Sequence, residues 1–354
     1  MVVIGGGLAG LFAAARQVQL GTTVHLWDPG EGQTASRVAA GLFNPITGKR
    51  WALSWMYDEL YASLLAFFQD PLFQPLKRHL HRMPLWRGFG HAGDQNDWWA
   101  RSAEPTYSHH VIVEGDPWNP ALVHNPNGGL FIQTGGWLAV KPFLQDLAEA
   151  LKQTGRFHLW KAELPYSQID PQQKCIHWQG QSLLYDALIF AEGAAVKHNP
   201  WWNFLQLQPL KGQILTVRIP KLNLDRIITA PLYVVPQGKE EYLVGATYEH
   251  TYDHAEPTPE GRNELLTRLA TVLPGVTPEV IDHQAGIRPT GPKGRRPCLG
   301  SHTQYPEMWF FNALGTKGVL IAPHFSLQLA RWMWEPGYQP HPEVRLDRLL
   351  LPAA

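Results

Sequence analysis

Val2–Gly10 reads VVIGGGLAG, a short β-branched run followed by Gly5, Gly7 and Gly10 in GxGxxG spacing. The next ten residues, LFAAARQVQL, are rich in alanine and leucine, so the stretch reads as strand, tight turn and helix. TTVHLWD then predicts a second strand, Thr22 to Trp27, ending in Asp28 about 20 residues beyond the glycines, where a ribose hydroxyl acceptor is expected. Glycines let the backbone approach a pyrophosphate, and the unpaired N–H groups and dipole of a helix start favour its charge. GxGxxG alone is a weak signal. With the strand before it, the helix after it and the acid at this distance, it predicts an adenine dinucleotide.

The rest of the chain narrows the class. Its 354 residues suit two domains, and 44% apolar with 17% charged residues describe a folded globular protein. Thirty basic and thirty acidic side chains cancel, which counts against a nucleic-acid partner or an anionic membrane surface. Cys175 and Cys298 form no metal-type spacing, and the 16 histidines, including His25 and His109–His110, show no HExxH or other ligand pattern, so no metal is expected. The sequence opens on an apolar strand with no basic flank, and no run approaches the ~20 apolar residues that span a bilayer. A cytoplasmic protein is expected.

The chain visits the nucleotide fold three times. After Asp28 come glycine-rich and small residues through Arg50, with Ala35 and Ser36 placed to open a short helix that can meet phosphate. A helix at YDELYASLLAFFQD and a tryptophan-rich region follow, before GGWLAVKPFLQDLAEALKQTG returns with helical periodicity and Pro142 in its first turn. FHLW and KCIHW read as short strands, and YDALIFAEGAA as a buried strand delivering Glu192 and Gly193 to a ligand. The third visit is MWFFNALGTKGVLIAPHFSLQLARWMW: a strand, a turn at Gly315 and Gly318, and a helix. LKGQILTVRI, PLYVVP and EYLVGAT, in between, have the alternation of an antiparallel sheet. The expected class is α/β: a discontinuous Rossmann-like domain of 1–50, 134–199 and 284–354, and an interleaved, mostly antiparallel β-sheet substrate domain of 51–133 and 200–283.

GGGLAG with Asp28, ASRVAAG, DALIFAEGA, LKGQIL, YVVP, LVGAT, AGIRPTGPKGRRPCLG and GTKGVLIAP, in that order, resemble the FAD-dependent D-amino acid oxidase superfamily over nearly the whole chain. Within it the sequence is most similar to glycine oxidases and to the FAD-dependent domain of the bifunctional enzyme that modifies the tRNA wobble uridine. The resemblance implies non-covalent FAD in an extended pose, held by Gly5, Gly7, Leu8, Ala9, Gly10, Asp28, Ala35, Ser36, Ala40, Gly41, Asn44, Glu192, Gly193, Gly286, Arg288, Gly315, Thr316, Lys317, Gly318 and Val319. It implies oxidation of the C–N bond of a small amino acid or secondary amine by hydride transfer to flavin N5, with O2 or another electron acceptor as partner. Two alternatives stay open: a tRNA-modifying oxidase of a carboxymethylaminomethyl-type uridine, and a dehydrogenase passing electrons to a partner. Oligomeric state is not legible.

Arg288 has two readings from its sequence context alone, a structural ion pair or a ligand contact. The family layout turns it toward a substrate carboxylate as a bidentate partner, with Tyr233 as second contact. Lys49, in the loop with Asn44 and Arg50, is expected to place positive charge near the flavin ring. Trp51, Trp55 and Trp137 are candidates for an apolar amine pocket. The sequence departs from the family at Glu192, where a small residue is usual, and at Gly294, near where an aspartate is common. Thr316 stands at the position of the second substrate arginine of glycine oxidases.

Overall fold

The computed structural model describes residues 1–30, 32, 34–48, 51–112, 122–292 and 294–350. Val2–Ile4 lies inside a six-stranded sheet ordered Phe157–Trp160, Val24–Trp27, Val2–Ile4, Leu188–Phe190, Met308–Asn312 and Cys298–Ser301. The first five strands are parallel and the last is antiparallel, so five connections leave the sheet at one edge, after Ile4, Trp27, Trp160, Phe190 and Asn312. Helices Leu8–Gln19, Tyr57–Phe67, Val140–Gln153 and Gly318–Trp334 share one apolar core on this sheet. Tyr57–Phe67 joins it from within the inserted stretch 51–133, where Phe67 meets Phe12 at 4.7 Å between ring centroids.

The second strand begins at Val24, not Thr22, because the Thr22 N–H donates to the Gln17 carbonyl at 3.0 Å and closes the end of the preceding helix. FHLW is the parallel edge of the nucleotide sheet, whereas Cys175–Trp178 lies in a separate three-stranded antiparallel sheet with Ile169–Asp170 and Gln181–Leu184.

The second large sheet has eight strands in the order Glu279–Thr290, Gln208–Arg218, Glu241–Gly245, Tyr233–Gly238, Ile227–Thr229, Leu85–Gly88, Gly129–Ile132 and Val111–Ile112. It is antiparallel except where Ile227–Thr229 runs parallel to Leu85–Gly88, the seam that joins the two inserted stretches. The expected boundary between 283 and 284 falls inside the strand Glu279–Thr290. One face carries Leu215, Val217 and Val244 against Leu265 and Leu269 of the helix Pro259–Val272. The register pairs Leu210 with Arg288, Gly212 with Gly286, and Gly245 with both Ile214 and Tyr233. Residues paired or two apart share a face, so Arg288, Tyr233 and the three glycines lie together on the opposite one.

Candidate active site

The GxGxxG turn is built by close backbone approach. A Cβ on Gly10 would stand 1.8 Å from the Gly5 carbonyl oxygen, and one on Gly5, at φ +102°, 2.5 Å from that of Ala191. The helix Leu8–Gln19 has no side chain capping from Gly7 and no acid in its first turn, as an anion-binding terminus requires. Ser36, in the short helix Ala35–Val38, accepts from the Leu8 N–H at 3.1 Å, bringing the second loop onto the first. The third visit and the strand Glu279–Thr290 converge there too: a Cβ on Gly318 would meet Leu8 at 3.0 Å, and one on Gly286 would meet Ala35 at 3.2 Å. Asp28 is buried, accepting from the Gly6 N–H at 2.7 Å and the Gly30 N–H at 2.8 Å and pairing with Arg37 at 2.5 Å. Four sequence-distant segments thus form one cradle that fits an ADP moiety.

Several of the expected cofactor contacts also make hydrogen bonds within the chain. Asn44 Oδ1 accepts from the Ile46 N–H at 2.9 Å and shapes its own turn. Glu192 accepts from the Tyr166 hydroxyl at 2.6 Å and the Asn199 amide at 2.7 Å, and burial raises its carboxyl above the usual range against those bonds. The Gly193 carbonyl accepts from Asn312 at 3.0 Å. Gly41 turns at φ +70° with its carbonyl accepting from the Leu138 N–H at 3.1 Å, beside buried Ala40. Gly315 donates to the Pro289 carbonyl at 2.9 Å, placing Thr316, which is exposed, and Val319, which is buried, at the start of the helix Gly318–Trp334. Lys49 and Arg50 lie outside the described residues.

On the substrate sheet, the Arg288 guanidinium lies over Gly212: a Cβ there would stand 2.1 Å from both terminal nitrogens. Its Nη1 is buried without a hydrogen-bond partner among the described residues. A buried, unpaired guanidinium nitrogen is costly unless an anion meets it. Tyr233 lies over Gly245, its hydroxyl 2.4 Å from where a Cβ would be, and burial raises its phenol while Arg288 opposes the rise. Tyr248, which sequence reasoning missed, is exposed with its ring centroid 5.1 Å from the Arg288 guanidinium carbon. Trp51 and Trp137 join the apolar cluster against which Tyr233 packs, whereas Trp55 stacks on Phe325 at 5.6 Å in the nucleotide-sheet core.

A cation missed as a side chain is Lys317, whose Nζ donates to Thr47 Oγ1 at 3.3 Å. Burial, with Arg296 as the second influence, pulls its ammonium down to about 8. The unfolded chain holds that proton to about 10.4, so between these values it binds more protons than the folded chain and stability rises with pH. The melting temperature of cofactor-stripped protein is expected to rise from pH 8 to 10 relative to Lys317→Met, for a gain of at most about 3 kcal/mol. Parallel curves for the two proteins would show an ordinary solvated lysine.

A sheet with five connections at one carboxyl edge, a glycine-built cradle and a second sheet presenting an arginine have the layout of a dinucleotide-dependent oxidoreductase. The chain belongs to the FAD dependent oxidoreductase family (DAO), whose profile matches residues 1–332. It is an FAD-dependent oxidoreductase, and FAD is its cofactor. The tRNA 5-methylaminomethyl-2-thiouridine biosynthesis bifunctional protein MnmC of Legionella pneumophila (strain Corby) is 24% identical over 310 residues, 82% of this chain and 44% of that protein. The chain therefore spans less than half the length of that relative. The putative thiamine biosynthesis oxidoreductase ThiO of Rhizobium etli is 24% identical over 351 residues, 96% of this chain and 98% of that protein. Glycine oxidase from Geobacillus kaustophilus superposes with a TM-score of 0.77 at 20% identity, covering 97% of each chain. Among the described residues no helix is long and apolar enough to cross a membrane.

Proposed function

We infer that the chain oxidises the C–N bond of a small amino acid or secondary amine bearing a carboxylate. The observation that carries this reading is the buried, unpartnered Arg288 Nη1 beside Tyr233 on the sheet face that meets the nucleotide cradle. FAD, when bound, supplies the acceptor for the hydride of the carbon bearing the amine. Gly5, Gly7, Leu8, Ala9, Gly10, Ser36 and Asp28 hold its ADP part; Gly286 and the 315–319 turn border its path. Arg288 offers two parallel N–H donors to a carboxylate, and the fork fixes the plane of the substrate. Tyr233 keeps its proton and donates to the same group, because burial disfavours the phenolate. Trp51 and Trp137 exclude water from the carbon side, and the released imine hydrolyses in solvent. In this reading 1–50, 134–199 and 284–354 serve the cofactor, and 51–133 with 200–283 the substrate.

The test is anaerobic bleaching of the bound flavin by N-substituted glycines, small amino acids and their decarboxylated analogues. Carboxylated amines are expected to bleach it and their analogues to do so far more slowly. Bleaching by none of the carboxylated amines would sink the reading, and oxygen added afterwards separates an oxidase from a dehydrogenase serving another acceptor. A second reading rests on the likeness to MnmC over most of this chain: a carboxymethylaminomethyl-type uridine carries a glycine-like arm that Arg288 would hold equally. Titration with tRNA at two salt concentrations distinguishes it, since phosphate contacts weaken steeply with salt.

A further inference from the structure

Far from the cradle in sequence, Asp58 meets the adjacent pair His109 and His110. Their ligand atoms, one each, all lie within 4.8 Å of one another. Asp58 Oδ1 is 3.3 Å from His109 Nε2 and 3.6 Å from His110 Nε2. A tetrahedral ion with bonds of about 2.0–2.1 Å spaces its ligands about 3.3–3.4 Å apart, so both separations suit one shared cation.

His110 supplies an independent sign. Its side chain is 1% exposed, and Nε2, the atom aimed at Asp58, is buried without a hydrogen-bond partner among the described residues. The ring is held on its other side: Nδ1 lies 2.6 Å from Thr134 Oγ1, and the Tyr57 ring packs edge-on at 5.4 Å between centroids. Tyr57 also donates its hydroxyl to the Thr134 carbonyl, so one helix start fixes both the ring and the residue that orients it. This outer shell is what a metal-binding imidazole requires. A cavity of about 360 Å³ lined in part by Asp58, Glu59 and His110 leaves room for water at a fourth position.

We propose that Asp58, His109 and His110 form a three-ligand site for a borderline divalent cation of the zinc type. Two imidazoles and one carboxylate suit zinc, whereas magnesium and calcium want oxygen donors throughout. The ion ties the helix Tyr57–Phe67, packed in the nucleotide-sheet core, to Val111–Ile112, the edge strand of the substrate sheet. HExxH-type spacing does not find it, because the ligands come from segments 51 residues apart and from neighbours in a turn.

The experiment uses the flavin-loaded protein, stripped with a chelator, equilibrated with zinc chloride, dialysed and analysed for metal by atomic emission. Wild type is expected to retain about one zinc per chain, unmoved by a thousandfold excess of magnesium, and to gain a saturable rise in melting temperature. Asp58→Asn and His109→Asn alter exposed side chains, so flavin content should persist while zinc affinity falls at least about tenfold. His110→Asn is the weaker variant because its side chain is buried. No zinc retained by the wild type, or equal zinc in wild type and both exposed variants, overturns the site and leaves an ordinary histidine–aspartate ion pair.

Discussion

Arg288→Ala is expected to lower kcat/KM for a carboxylated amine by about 2–5 kcal/mol of transition-state binding, mostly through the Michaelis constant, because the substrate anion is left buried and unpaired. A decarboxylated analogue should be nearly indifferent. Arg288→Lys keeps the charge and loses the planar fork, so it should recover only part of the loss. Gly212→Ala is a sharper variant, since its methyl would occupy the space 2.1 Å from the guanidinium nitrogens and displace the fork while every charge remains. It should reproduce much of the Arg288→Ala loss. An arginine that served the fold alone would behave otherwise: equal losses on both substrates, with a lower melting temperature, would show that Arg288 holds the protein.

The parts legible in the sequence were those in which a residue type answers a steric demand. Gly5 and Gly10 sit where another backbone occupies the place of a Cβ, and glycine spacing reports such contacts directly. The strand–turn–helix of Val2–Gln19 and the helix Val140–Gln153 follow from local periodicity and came through unchanged in kind. What stayed hidden depends on partners distant in the chain. Nothing beside Gly212 says that it makes room for Arg288; the antiparallel register of Gln208–Arg218 with Glu279–Thr290 does that. Lys317 looked like one backbone N–H among several, but burial beside Thr47 makes its side chain the notable cation. Trp55 looked equivalent to Trp51 and Trp137, and Phe325 from the helix Gly318–Trp334 draws it into a different core. The strand expected from Thr22 shows the local limit, since the helix end before it took the backbone donor at Thr22.

Asp28→Ala is expected to weaken FAD retention by about 3 kcal/mol, roughly a hundredfold, the value of one or two charge-assisted hydrogen bonds. The acceptor count explains why the loss should fall on the cofactor. Each carboxylate oxygen can accept about two hydrogen bonds. Oδ1 is filled by the Gly30 N–H and Arg37, while Oδ2 holds the Gly6 N–H and keeps one place for a ribose hydroxyl. Alanine therefore removes the ribose acceptor, and it also strands Arg37, whose side chain is only 22% exposed. Adding Arg37→Ala separates the two contributions. If the stranded guanidinium caused the loss, the double variant should recover FAD affinity; if the missing acceptor caused it, the double variant should stay weak. The measurement is the FAD dissociation constant from flavin fluorescence during reconstitution, alongside the melting temperature of the stripped protein. A double variant that binds FAD as tightly as the wild type would reduce Asp28 to a counter-ion for Arg37, whereas persistent weakness without a drop in the stripped protein's melting temperature would make it a direct contact of the nucleotide.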